Sequence, residues 1–381
     1  MSLPADGRPA GRIPWHVAAV VLAATSAVVG VIWDISWHRT IGRDTFWTPA
    51  HLAIYLGGAL AGAASGWRVL KTTFAGTPEE RAAGVSFWGF RGPLGAWVAI
   101  WGAIAMLASG PFDNWWHNAY GLDVKVLSPP HVILALGFTA IQLGALLLVL
   151  SLQNRAADAD RRTYGLLLAF GAGIVLENLS IMGIEQIGFP NAAHNALYYK
   201  VASAAFPIVL LAVARASRLN WAATTAAAAY FAISMVMIWV LQLFPATPKL
   251  APVFNPVTHM VAPPFPLLLV VPAAVLDLLA QRVGPGRDWR LALLGGATFL
   301  AVFFVTQWFA ADFLLTPYAR HYVFGVDQWD YSAQLGPWRY HFWRVAGDPV
   351  TAWGLAIAAT LAVVSARLGL WWGNWMARVR R

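Results

Sequence analysis

Apolar runs of about twenty residues recur along the chain, each closed by polar or helix-breaking positions. Ten stand out, at about 15–34, 50–67, 92–111, 131–152, 163–183, 199–217, 221–244, 262–281, 291–312 and 350–372. A helix rises ~1.5 Å per residue, so roughly twenty apolar residues cross the hydrocarbon core of a bilayer. The pattern predicts an all-α, polytopic integral membrane protein of about ten transmembrane helices. Only Ser217 to Asn220 separate the sixth and seventh runs, which predicts a tight helical hairpin. The first run follows Arg8 and Arg12 in the manner of a signal peptide. It is too long for a typical cleaved one, and a polar motif follows at once, so it is read as a retained anchor.

Composition sharpens this picture. Hydrophobic residues make up 59% of the 381 and charged ones 11%, against ~25% charged in a soluble domain. Cysteine is absent, which excludes disulfide frameworks, thiolate metal sites and thiol nucleophiles. The net charge of +9 does not point to nucleic acid, because the basic residues lie between apolar runs rather than in one patch. Their distribution reads as topology. With the N-terminus inside, eighteen of the 26 Lys and Arg fall on inner segments and eight on outer ones. Retention of positive charge on the cytoplasmic side then places both termini there, in a bacterial-type inner membrane. Two regions follow: residues 1–160 with four helices, and 161–381 with further helices and a long outer segment at 313–349.

Eight of the nine histidines, all but His16, fall on the outer, periplasmic side of that topology. Ionisable residues at membrane depth are costly and default to functional hypotheses. Within the first two outer connections the pattern is duplicated: residues 33–51 read WDISWHRTIGRDTFWTPAH and residues 112–131 read FDNWWHNAYGLDVKVLSPPH. Each copy has Asp, His four later and Gly four after that (Asp34, His38, Gly42; Asp113, His117, Gly121). Each then has Asp two further on (Asp44; Asp123) and closes on Pro-x-His (His51; His131). The chain carries an internal repeat.

Residues four apart share a helix face, so each Asp–His pair converges at the end of a helix. Gly and Pro break that helix, and the second His must come back from the start of the next one. Two imidazoles and a carboxylate are a minimal ligand set for Cu, Zn or Fe(II). A single Asp–His pair is equally well read as a hydrogen-bonded helix cap; the duplication favours metal ligation. Asp44 and Asp123 are either loop caps or partners that orient a ligating His.

At these residues the sequence resembles the C subunit of particulate methane and ammonia monooxygenases. That family carries a segment D-x-x-W-H-x-T-x-x-R-D-T-x-x-T-P-x-H followed by an aromatic. Here it is Asp34, Trp37, His38, Thr40, Arg43, Asp44, Thr45, Thr48, Pro49, His51 and then Tyr55. The resemblance implies a copper site on Asp34, His38 and His51. The family has a second site built from Asn, His four later and His fourteen after that; this chain has Asp113, His117 and His131 at that spacing. An anionic ligand in place of Asn strengthens binding of a divalent ion and lowers its reduction potential. The resemblance covers about residues 15–155. The family's C subunit is shorter and works beside an A subunit and a B subunit with soluble copper-binding domains. This chain has no such domain and reads as an extended relative.

Beyond the repeat, Glu177 and Asn178 interrupt the fifth run, and Glu185 and His194 follow. Glu177 is either a protonated packing residue or part of a proton relay or metal site. His259 stands four after Asn255 and before Pro263-Pro264, an echo of the earlier grammar. His321, Gly325 and Asp327 repeat the middle of the motif as a degenerate third copy. The Trp-rich segment from Asp312 to Asp348 is expected to cover the outer face. Asp277 is expected to snorkel or pair near the inner end of the eighth run.

Two functions are consistent with these features. The first is a membrane copper enzyme, or a subunit of one, that oxidises a small apolar substrate with O2, as a homo-oligomer or beside companion subunits. The second is a protein that loads, stores or transports copper or zinc without redox chemistry. Copper(I) carriers favour Met and Cys, and this chain has no Cys and no Met-rich motif. Iron fits the same donor set, and the resemblance selects copper.

Overall fold

The computed structural model describes residues 12–42, 46–121, 128–157, 160–184, 191–284, 286–333 and 349–380. In chain order come α1 (Trp15–Thr40), α2 (Pro49–Ala75), α3 (Pro78–Ala83), β1 (Val85–Phe87), β2 (Phe90–Gly92), α4 (Leu94–Tyr120), α5 (Pro129–Gln153) and α6 (Arg161–Leu179). They are followed by α7 (Ala196–Ala216), α8 (Ala222–Leu241), α9 (Val270–Val283), α10 (Asp288–Leu314) and α11 (Ala352–Met376). A π-helical turn, Ser180–Ile184, extends α6. Among the described residues, β1 and β2 form the only sheet, antiparallel with Phe87 opposite Phe90.

Eight of these helices are long and apolar enough to cross a membrane, counting α6 with its π turn. Their outward faces carry large apolar side chains, such as Leu136 at 65% exposed and Phe309 at 69%. Water tolerates such continuous faces poorly and lipid covers them without cost, so the protein is suited to a bilayer. The second run forms α2, which has 27 residues but is diluted with Gly and Ala. The eighth run is helical only from Val270, and α9 has 14 residues. The reason is local: Pro263, Pro264 and Pro266 lack the N–H that a helix needs and clash with the preceding turn. Such irregular backbone survives at membrane depth when protein surrounds it, and Val261, Ala262, Leu267 and Leu269 are buried.

The chain forms two compact units. The first holds α1 up to Val31, α2, α3, the hairpin, α4, α5, α6 up to Ile174 and the tail from Met376. Its centre is the α4–α5 pair. Gly95 and Gly102 on α4 face Gly144 and Gly137 on α5, one heptad apart on each helix, and the backbones touch. A Cβ on Gly102 would stand 2.6 Å from the Gly137 carbonyl oxygen, and one on Gly144 2.7 Å from that of Gly95. Lipid gives helices no hydrophobic reason to associate, so small residues that maximise van der Waals contact serve instead. Beside this pair, α3 is closed by a capping box between Thr77 and Glu80, and Arg68 on α2 donates to Glu80 at 2.8 Å. Partial burial pushes the Glu80 carboxyl up, but Arg68, the Thr77 N–H and the Lys71 charge outweigh it and hold its pKa below the ordinary range.

The second unit holds the end of α1 from Ile32, the remainder of α6, and α7 to α11. Here Gly369 and Gly373 of α11 lie against Ile208 and Ala212 of α7. Asp277 of α9 caps a neighbouring helix: it accepts from the backbone N–H of Thr224 at 2.8 Å and of Ala223 at 3.2 Å, and from the Thr224 hydroxyl at 2.7 Å. The N-terminus of α8 starts on Trp221, which supplies no cap of its own. A carboxylate from the neighbour satisfies those N–H groups and the positive end of the helix dipole. At the end of α1, Ser36 donates to the Val261 carbonyl at 2.6 Å, and Thr40 accepts from the Val261 N–H at 2.7 Å.

Candidate metal centre

The second copy of the repeat is built where α4 ends and α5 begins. Asp113 and His117 lie one turn apart on the last turns of α4, which stops at Gly121 with φ +95°. Six residues outside the described set follow, and α5 then opens on Ser128 with Pro129 and Pro130 in its first turn. That order explains the Pro-x-His grammar. A hydroxyl residue stands at the cap position, proline occupies the first helical position where its missing N–H costs nothing, and histidine comes third.

This arrangement brings three donor atoms together. Nε2 of His117 and Nε2 of His131 each lie 3.2 Å from Oδ1 of Asp113. One donor atom from each of the three residues falls within 4.8 Å of the other two. Asp113 and His117 are buried, and His131 is about a third exposed, so the cluster opens on the His131 side.

The tautomer of His117 follows from its other nitrogen. Nδ1 lies 3.0 Å from the carbonyl oxygen of Gly121. A carbonyl only accepts, so Nδ1 carries the hydrogen, and the Nε2 lone pair faces Asp113 unless a second proton is added. Lone pairs on Nε2 and on a carboxylate 3.2 Å apart repel, and the repulsion is relieved by a proton or a cation between them. Two donors on one ion at metal–ligand bonds of ~2.0–2.1 Å are separated by roughly 2.8–3.4 Å for square or tetrahedral angles. The observed spacing falls in that interval, so the donor set fits a divalent transition metal.

The first copy shows the same local devices. α1 ends at Thr40, and Gly42 follows with φ +87°. Asp34 Oδ2 and His38 Nε2 are 3.6 Å apart, with His38 more exposed than any member of the second cluster. Thr48 caps α2, accepting from the His51 N–H at 3.1 Å, and Pro49 opens the helix. His51 Nδ1 lies 2.6 Å from the Phe46 carbonyl, so Nδ1 carries a hydrogen, as in His117. Asp34 and His38 belong to the second compact unit and His51 to the first.

The other sequence candidates are placed as follows. His194 pairs with Asp312 at 2.9 Å and rests edge-on against Trp308. His259 pairs with Asp327 at 3.3 Å, and Gln328 reaches the same ring. Asn255, four residues before His259, donates to the carbonyls of Asp330 and Ala333 and stands outside any helix. His321 caps a short 3-10 turn by accepting from the Val323 N–H at 3.2 Å, and Gly325 closes that turn with φ +68°. Glu177 accepts from Ser234 at 2.8 Å. Asp44, Asp123 and Glu185 lie outside the described residues, as do Trp338 and Trp343. Tyr230 and Ser234 beside Glu177 escaped the sequence reading, because no spacing rule links positions about fifty residues apart; Ser180, one turn on from Glu177, lay within reach of such a rule.

Comparisons with family models, curated proteins and solved structures return no match to this chain.

Proposed function

We propose that the chain is a membrane copper-binding protein of the type of the C subunit of particulate monooxygenases, serving the oxidation of a small apolar substrate by O2. Ten crossings with both termini cytoplasmic would set the repeat on the periplasmic side. The observation that carries this reading is the Asp113–His117–His131 cluster, with its buried carboxylate, two imidazoles and a spacing suited to one ion. Asp113, His117 and His131 would hold the copper. Bound copper supplies the one-electron chemistry that O2 needs. The chain's own residues do the rest. Gly121 aims His117, and Asp113 would neutralise part of the ion's charge.

The resemblance over residues 15–155 selects copper from among the metals this donor set accepts. Elemental analysis of the purified protein tests the reading, with wild type set against His117→Ala, His131→Ala and His38→Ala. Wild type should retain copper, and His117→Ala and His131→Ala should each lose at least one equivalent. Unchanged copper in both variants would sink the site. Oxygen-dependent product formation in copper-supplemented membranes then separates an oxidising enzyme from a carrier, which would show metal flux without oxygen consumption.

A further inference from the structure

The second unit contains a small, partly open pocket, mostly apolar but with a polar cluster on its wall, that has no place in the metal reading. Its volume is about 40 Å³, and its polar lining is Glu177, Ser180, Tyr230 and Ser234. Glu177, Tyr230 and Ser234 are buried, at 5%, 1% and 4% exposed. Glu177, Ser180, Ile181 and Ile184 recur at helical spacing and form one wall, where α6 passes into its π turn. The proline run 263–266 and Leu267 form another, and Ile32 and Ile35 complete it. Single π turns inside helices recur at functional sites.

The hydrogen bonds have a direction. Ser234 Oγ donates to Glu177 Oε2 at 2.8 Å. The Leu267 N–H, set free by the proline run, donates to the Tyr230 hydroxyl at 2.9 Å. With one lone pair so used, the Tyr230 O–H remains to donate, and Ser180 Oγ lies 3.3 Å away. A water needs ~10–15 Å³ of such space and two to four polar partners, so this pocket has room for roughly three waters. An apolar void of that size would stay dry; three hydroxyls and a carboxyl wet this one.

We propose that this pocket is a proton-binding water site, in which Glu177 carries an exchangeable proton and passes it to a water held there. In that step the carboxyl O–H bond breaks and an O–H bond forms on the neighbouring water. No electron moves, and the carboxylate left behind keeps the Ser234 hydrogen bond. The return step reverses it. The proposal is independent of the metal reading and rests on residues that reading does not use.

Infrared spectroscopy of the full-length protein in lipid vesicles tests it, with protons and deuterons as the probe. At neutral pH in a potassium buffer, wild type should show a protonated-carboxyl C=O band that shifts within the mixing time on transfer to D2O. Glu177→Gln should abolish the band. Ser234→Ala, which keeps the carboxyl and removes its donor, should move it, so assignment does not depend on the Gln variant folding. A band absent at neutral pH, or unmoved in Ser234→Ala, would overturn the proposal. So would a band that exchanges only on unfolding, since that marks a dry packing residue. Loss of the band when sodium replaces potassium at fixed pH would also overturn it, in favour of a sodium site.

Discussion

Gly121 performs three tasks with backbone atoms alone. Its N–H closes the end of α4 by donating to the His117 carbonyl at 2.9 Å, its own carbonyl takes the His117 Nδ1 hydrogen, and its φ of +95° with ψ of 169° ends the helix. That conformation is essentially confined to glycine, and a Cβ there costs ~1–3 kcal/mol. Gly121→Ala should therefore lower thermal stability by that amount. A backbone relaxed out of that conformation carries the carbonyl away from His117 Nδ1, and displacing a partner that orients a ligating His should weaken copper binding by about 10–100-fold. Chelator competition measures the affinity. A variant that loses stability but keeps wild-type affinity would show that the carbonyl does not aim the ring. Much of this was legible in the sequence, because Asp-x3-His, the Gly that follows and Pro-x-His all obey rules acting within one helical turn. The Gly121 carbonyl as hydrogen-bond acceptor was not, since backbone acceptors leave no mark on residue type.

Between elements, the glycine seam matters most, because α4 carries Asp113 and His117 while α5 carries His131. Gly102→Ala would force a methyl to within 2.6 Å of the Gly137 carbonyl, so the helices must part. Overpacking of this kind costs ~1–3 kcal/mol. Gly66 on α2 has open space where its Cβ would be, and Gly66→Ala should raise stability by up to ~1 kcal/mol through helix propensity. Opposite signs from one chemical change, read by thermal melting in detergent, test the seam; matching signs would refute it. The seam was illegible in advance because glycine in an apolar run reads as diluted helix until the facing helix is known. Asp277 was read as a snorkelling or pairing residue and is found capping α8. The available signal was Trp221, a residue unable to cap the helix it starts. The hairpin at 85–92 turns on Trp88 and Gly89, both at positive φ. Gly89 hinted at it, but tryptophan is not a residue that advertises such a turn.

For the whole molecule, apolar runs located the helices well, because burial in lipid demands length and apolarity and little else. They overreached at residues 262–269, where three prolines overrule hydropathy. Orientation rests on the Lys and Arg count and is open to direct test, since the chain has no cysteine. A single cysteine at Ala82→Cys should be labelled by a membrane-impermeant maleimide only from the cytoplasmic side. One at Tyr318→Cys, a position 85% exposed, should be labelled only from outside. Labelling from the reverse sides would invert the topology, and labelling of both from one side would change the number of crossings. The main-chain oxygens of Gly121 and Phe46 that grip His117 and His51 carry one more implication. Had carboxylates stood there, a sour exterior would protonate them and let both rings swing. Peptide oxygens do not titrate in that range. Aim is therefore preserved in acid, because the groups that hold the two rings take up no proton.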